Sequence, residues 1–120
     1  MFKFEKLNVW EKSFYLGEKI NNLAMQFPDK ERFNLSNQLT RAIDSVGLNI
    51  AEGSAGQTNY EQIRFIIYAN RSLLEVVACL LKAKERGYIY EQLFNELYQE
   101  CEILSKMLSA FKNALQKNKS

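Results

Sequence analysis

The side chains able to carry chemistry in this chain are lysines, arginines, carboxylates and two cysteines; histidine is absent. Without an imidazole there is no Ser-His or Cys-His pair, no histidine-ligated metal, and no side chain whose unperturbed pKa lies near neutrality. Cys79 and Cys101 are too few for a thiolate zinc site or a disulfide framework. Both fall at apolar positions of predicted helices with no cation beside them, so they read as small buried hydrophobes in a reducing compartment. The acids Glu91, Glu96, Glu100 and Glu102 invite an all-carboxylate magnesium site, which needs several oxygens converging on one interior point. The apolar pattern of their helix leaves them outside its seam, as a solvated face. Gly53 and Gly56 follow a helix and lack the Gly-Lys-Ser/Thr ending of a phosphate-cradling loop. No catalytic, metal or cofactor constellation emerges, and the chain reads as non-enzymatic.

Two patterns remain. Gln38, Arg41, Ser45, Asn49 and Glu52 recur at intervals of 3, 4, 4 and 3, which stacks them into one polar stripe on a helix. The stripe is either the exposed face of an amphipathic helix or a hydrogen-bonded network in which Asn49 or Glu52 engages a base such as Arg64 or Arg71. The second pattern is charge. Thr58 to Ile89 holds five bases (Arg64, Arg71, Lys82, Lys84, Arg86) against three acids, whereas the spans on either side balance. On a monomer that excess of +2 is a solvated surface. A fivefold ring would gather about +10, enough to hold a polyanion by counterion release.

The elements that position these residues follow from the breakers. With 120 residues, 47% apolar and 25% charged, and a net charge of +2, the chain has room for one globular domain. One proline and five glycines leave long helices, expected at about 8–26, 35–52, 58–86 and 90–116. Asn8 and Glu11 suit a capping box for the first, and Phe27-Pro28 stops it. Leu35, Leu39, Ala42, Ile43, Val46 and Ile50 keep helical spacing in the second. Gly53 reads as its left-handed C-terminal residue, and Gly47 marks a bend or a close helix crossing. Thr58 and Glu61 form a capping box for the third.

Fourteen of the nineteen residues from Ile63 to Leu81 are apolar, so that third helix must be covered on more than one side. One of its seams is Ile63, Ile66, Leu73, Val77 and Leu80, interrupted by Asn70. The other is Tyr60, Ile67, Leu74 and Leu81, whose cover is expected from another subunit. The fourth helix carries Tyr90, Phe94, Leu97, Cys101, Leu104, Leu108, Phe111 and Leu115 at alternating intervals of 4 and 3. Short connections make neighbouring helices antiparallel, and the expected fold is a single-domain, all-α, up-down-up-down four-helix bundle. No apolar run approaches a membrane span and no export signal is visible, so a cytoplasmic protein is expected.

These residues also form a recognisable set. Leu7-x-Val9-Trp10, Phe27-Pro28-x-x-Glu31-x-Phe33-x-Leu35, and the run Gln38-x-x-Arg41-Ala42-x-x-Ser45-Val46-x-x-Asn49-Ile50-Ala51-Glu52-Gly53 lead it. Ser72-Leu73-x-Glu75 and Gly87-Tyr88-Ile89 complete it. The chain resembles the 23S rRNA intervening-sequence protein family along almost its whole length. The resemblance implies a barrel-shaped homopentamer of four-helix bundles without enzymatic activity. Some such proteins are encoded within 23S rRNA genes, and a similar branch serves diversity-generating retroelements by binding nucleic acid and a reverse transcriptase. It implies, too, that Gln38, Arg41, Asn49, Glu52 and Gly53 are signature residues at a helix-packing or subunit contact.

Two departures accompany the resemblance. The position of Gly47 is often proline in relatives, and the loop Ser54-Ala55-Gly56-Gln57 lacks the arginine common there. The expectation is a non-enzymatic oligomer that meets structured RNA or a nucleoprotein through Arg64, Arg71, Lys82, Lys84, Arg86 and the C-terminal lysines. The alternative is a protein-binding adaptor or scaffold that uses the apolar arc of the third helix.

Overall fold

Each of the four apolar patterns winds into a helix. In the computed structural model, which describes residues 1–118, α1 spans Asn8–Ala24, α2 Leu35–Ser54, α3 Asn59–Glu85 and α4 Glu91–Lys117. Single 3-10 turns at Lys3–Lys6 and Asp29–Glu31 precede α1 and α2. Lys119, one of the C-terminal lysines expected to meet phosphates, lies outside the described residues.

The helix ends differ from expectation where local chemistry has alternatives. The first helical residue of α1 is Asn8 and its N-cap is Leu7, so the Asn8–Glu11 capping box does not form. The helix ends at Ala24 because the amides of Gln26 and Phe27 bond back only three residues, to Leu23 and Ala24. That tightened turn brings the chain out of the helix before Pro28. At α3, Thr58 Oγ1 accepts from the Glu61 amide at 3.1 Å, while the Glu61 carboxylate accepts from the Gln57 amide at 3.3 Å.

Gly53 corrects the sequence reading most sharply. It sits within α2, buried, and it is not left-handed; among the described residues only Gly87 has a positive φ, at 79°. A Cβ on Gly53 would stand 2.7 Å from Phe65 Cβ and 3.4 Å from the Gln62 carbonyl oxygen, well inside normal carbon–carbon separation. The missing side chain serves the approach of α3. Gly47 plays a milder version of the same part against α1, where a Cβ would lie 3.2 Å from Ser13 Oγ.

Side-chain pairs fix the topology. Ser45 meets Ser72 and Gly53 meets Phe65, so α2 and α3 run antiparallel. Asn70 meets Ser105 and Lys84 meets Phe94, which makes α3 and α4 antiparallel. Gly17 lies on Ile43 while Gly47 lies on Ser13, giving the same relation for α1 and α2. The helices form a closed square in which α1 also packs on α4 and the diagonals stay apart. The bundle measures 47 × 23 × 22 Å.

Leu16 and Ile20, Leu39 and Val46, Leu73 and Leu80, and Leu104 and Leu108 fill its axis. Each such side chain contributes about 1.5–3 kcal/mol by leaving water. Cys79 and Cys101 join that core, and burial raises both thiols, Cys101 to about 12. Neither is a nucleophile at neutral pH.

Candidate nucleic-acid interface

The bases expected to meet phosphates divide into two groups. Arg64, Arg71 and Lys82 are exposed, and their spacing of 7 and 11 residues places them on one outward face of α3. The row runs about 27 Å at 1.5 Å per residue. Among the described residues none of the three enters an ion pair. Arg64 donates to the Tyr68 hydroxyl at 3.0 Å and lies 5.9 Å from that ring's centroid, and this bond keeps its guanidinium firmly protonated. Arg71 and Lys112 line one small cleft with Asn70 and Ser109, so α4 adds a base to the row.

Lys84 and Arg86 point elsewhere. The Lys84 ammonium rests 4.6 Å from the centre of the Phe94 ring, and Arg86 is tied to Glu31 at 3.1 Å.

Glu31 is the functional-looking residue that sequence reasoning passed over. Only 5% of it is exposed. Its carboxylate accepts from the Tyr88 hydroxyl at 2.7 Å, Arg86 Nη1 at 3.1 Å, Asn34 Nδ2 at 3.1 Å and the Leu35 amide at 3.4 Å. The Tyr88 hydrogen bond leads in holding this carboxyl below its ordinary range, against the opposing effect of burial. The arrangement pins the segment before α2 to the turn between α3 and α4. The signal was present: Glu31 and Gly87-Tyr88-Ile89 both stood in the recognised set.

The polar stripe of α2 faces the α3 seam, and the network it forms differs from the one expected. Asn49 Nδ2 donates to the Ser45 carbonyl at 2.8 Å and to Ser45 Oγ at 3.1 Å, and Ser72 Oγ donates to Ser45 Oγ at 3.1 Å. Arg64 and Arg71 take no part, because both project from the outer face of α3. Gln38 and Arg41 line a polar cleft beside this network, and Glu52 is exposed. Asn70, the polar break in the α3 seam, accepts from Ser105 Oγ at 3.0 Å.

Two expectations about surfaces are corrected or completed. Glu100 is not a solvated acid: it binds Lys12 at 3.0 Å and Lys19 at 3.1 Å, which closes α4 onto α1. Burial opposes its charge, yet those hydrogen bonds prevail and hold its carboxyl below the ordinary range. The second α3 seam lies open on the chain surface, with Tyr60 70%, Leu74 64% and Leu81 49% exposed and Ile67 beside them.

Among the described residues no group of three or more His, Cys, Asp or Glu could hold a metal ion, and no helix is long and apolar enough to cross a membrane. The chain matches a family model described as 23S rRNA-intervening sequence protein over residues 5–110. It is similar to a crystal structure of a protein of unknown function from the S23 ribosomal protein family of Bacteroides thetaiotaomicron. That similarity has a TM-score of 0.81 at 23% identity and covers 88% of this chain and 95% of that one. A comparison with curated proteins gives no match. The sequence match across nearly the whole bundle leads to one conclusion: this chain belongs to the 23S rRNA-intervening sequence protein family.

Proposed function

We infer that the protein is a non-enzymatic, RNA-binding oligomer, a homopentamer by family analogy, whose outer α3 face meets structured RNA or a nucleoprotein. The observation that carries this reading is the row Arg64, Arg71 and Lys82, exposed and outside ion pairs, with Lys112 beside it. Cations held this way release counterions from a phosphate backbone without first breaking an ion pair. Repetition around a ring multiplies a charge that is small on one chain. A reverse transcriptase is the protein partner that the same analogy suggests.

The test is an anisotropy titration of a structured rRNA fragment at about 50 and about 200 mM salt, with mass followed by light scattering. Binding that weakens steeply with salt, and that is lost on reversing Arg64, Arg71 and Lys82 to glutamate, supports the reading. Arg86 is left out of that variant because it anchors Glu31. Absence of binding at the lower salt, with the oligomer intact, sinks it.

One observation favours an adaptor instead: the exposed stripe Tyr60, Ile67, Leu74 and Leu81 is larger than scattered surface apolar residues require. On that reading RNA affinity is absent, and Leu74→Glu abolishes partner binding while the charge reversals leave it intact.

A further inference from the structure

The polar cleft between the start of α2 and the middle of α3 has a volume of about 520 Å³, within the range of ligand-binding clefts, about 300–1,000 Å³. Asn34, Gln38 and Arg41 line one side, and Ser72 and Glu75 the other, with Phe33 at the rim. Phe33 is 86% exposed, although it is large and apolar. The chain beside it is anchored: Glu31 binds Asn34 and Leu35 on one side and the α3–α4 turn on the other. Arg32 covers one face of the ring at 5.3 Å from its centroid, which leaves the other face for a flat partner. Among the described residues neither Arg41 nor Glu75 enters an ion pair.

The cleft thus offers a planar stacking surface, a bidentate donor and a carboxylate acceptor. A free phosphate or other small anion fits poorly beside Glu75. A planar heterocycle with acceptors on one edge and donors on another fits well. Guanine has this pattern: O6 and N7 accept from an arginine fork, and N1–H and N2–H donate to a carboxylate. Stacking and edge hydrogen bonds are how unpaired bases are read in RNA. Arg71 adjoins Ser72 on α3, and Lys82 lies two turns beyond Glu75, so the basic row runs alongside the cleft where flanking phosphates would lie.

The geometry points to this cleft as a binding site for one unpaired guanine of a bound RNA, stacked on Phe33 and read by Arg41 and Glu75. This rests on the RNA-binding reading above, and the test separates the two. Fluorescein-labelled single-stranded uridine tracts, one unbroken, one with a central guanine and one with a central adenine, are titrated against the intact oligomer by anisotropy. The guanine tract should bind tighter than the other two. Phe33→Ala should weaken it about 5- to 150-fold, the range for losing one base–aromatic stack. Arg41→Gln and Glu75→Gln should remove the preference for guanine over adenine.

Reversing Arg71 and Lys82 should instead weaken all three tracts alike. Light scattering and thermal melts confirm that each variant keeps its mass and fold. Equal affinity for the three tracts, or a guanine preference that survives Phe33→Ala and Arg41→Gln, overturns the cleft assignment while leaving RNA binding by the basic row standing. Loss of the oligomer in Arg41→Gln assigns the cleft to a subunit contact and overturns it as well. Failure of every tract and of the structured rRNA fragment overturns both readings.

Discussion

The seam between α2 and α3 and the seam between α1 and α4 close the same bundle by different means. The first is a matter of shape. Gly53 admits the Cβ of Phe65, and the small residues Ser45, Ala69 and Ser72 keep the facing helices close. Lysines close the second: Lys12 and Lys19 converge on Glu100 across a shorter line of contact. A shape-closed seam tolerates no added volume but is indifferent to pH and salt. A charge-closed seam tolerates volume and responds to both. The bundle therefore has one rigid side, which carries the basic row and the polar cleft, and one adjustable side.

The largest effect should come from filling the rigid seam. Gly53→Ala places a Cβ 2.7 Å from Phe65 Cβ, an atom too near its own backbone to swing away, so the helices must move apart. Overpacking of this kind costs about 1–3 kcal/mol, visible as a lower urea midpoint at fixed protein concentration. Gly47→Ala, which meets only the Ser13 hydroxyl at 3.2 Å, should be milder. Equal effects at the two glycines would break the contrast between a seam closed by shape and its neighbour.

Acid should act through two carboxylates. Glu31 and Glu100 both lie below their ordinary range when folded. Groups depressed in this way add stability that is present above the unfolded value, near 4.3, and is lost as pH falls through the folded value. The urea midpoint should therefore drop between about pH 5 and pH 3. Glu31→Gln removes part of that slope and weakens the joint between the α1–α2 loop and the α3–α4 turn, leaving Arg86 and Tyr88 with one acceptor fewer. An unchanged acid slope in Glu31→Gln would show that its four hydrogen bonds do not favour the charged form.

Glu100→Gln should be smaller, about 0.5–1 kcal/mol at neutral pH, because the pair is partly solvated. Its distinguishing mark is salt. Raising ionic strength should narrow the gap between Glu100→Gln and the parent chain, and it should leave the Gly53→Ala gap unchanged. A salt-dependent Gly53→Ala defect would undo the division of the bundle into rigid and adjustable sides.

The core was legible in the residues because burial leaves a period. Leu35, Leu39, Ala42, Ile43, Val46 and Ile50 are all buried as their spacing requires. What periodicity cannot carry is reach. Asn49 and Arg64 share no contact although both belong to polar faces of adjacent helices, because a wheel gives a direction on each helix and no distance between them. Gly53 was misread for a related reason: a glycine after a helical run has the same signature whether it turns the chain or admits a neighbour. Glu31 stands in the short turn after proline, where an acid is ordinarily solvated, and two of its four partners, Arg86 and Tyr88, lie more than fifty residues away. The stripe Tyr60, Ile67, Leu74 and Leu81 announced its need for cover, but a single chain's pattern does not name what covers it.

The smallest expected effect tests whether the polar network adds to the shape of the rigid seam. Ser72 donates to Ser45 Oγ at 3.1 Å, and Asn49 donates to the same oxygen at 3.1 Å. Ser72→Ala removes one donor but leaves Ser45 Oγ accepting from Asn49, so no buried acceptor is orphaned. A net contribution of about 0.5 kcal/mol is expected, the low end for an intramolecular hydrogen bond, since the site is partly open to water. Ser72→Val adds volume at the same place and should cost more than Ser72→Ala, following the Gly53→Ala pattern on a reduced scale. If Ser72→Ala were instead the more damaging of the two, hydrogen bonding rather than close approach would hold α2 against α3. The seam would then belong with the charge-closed side of the bundle.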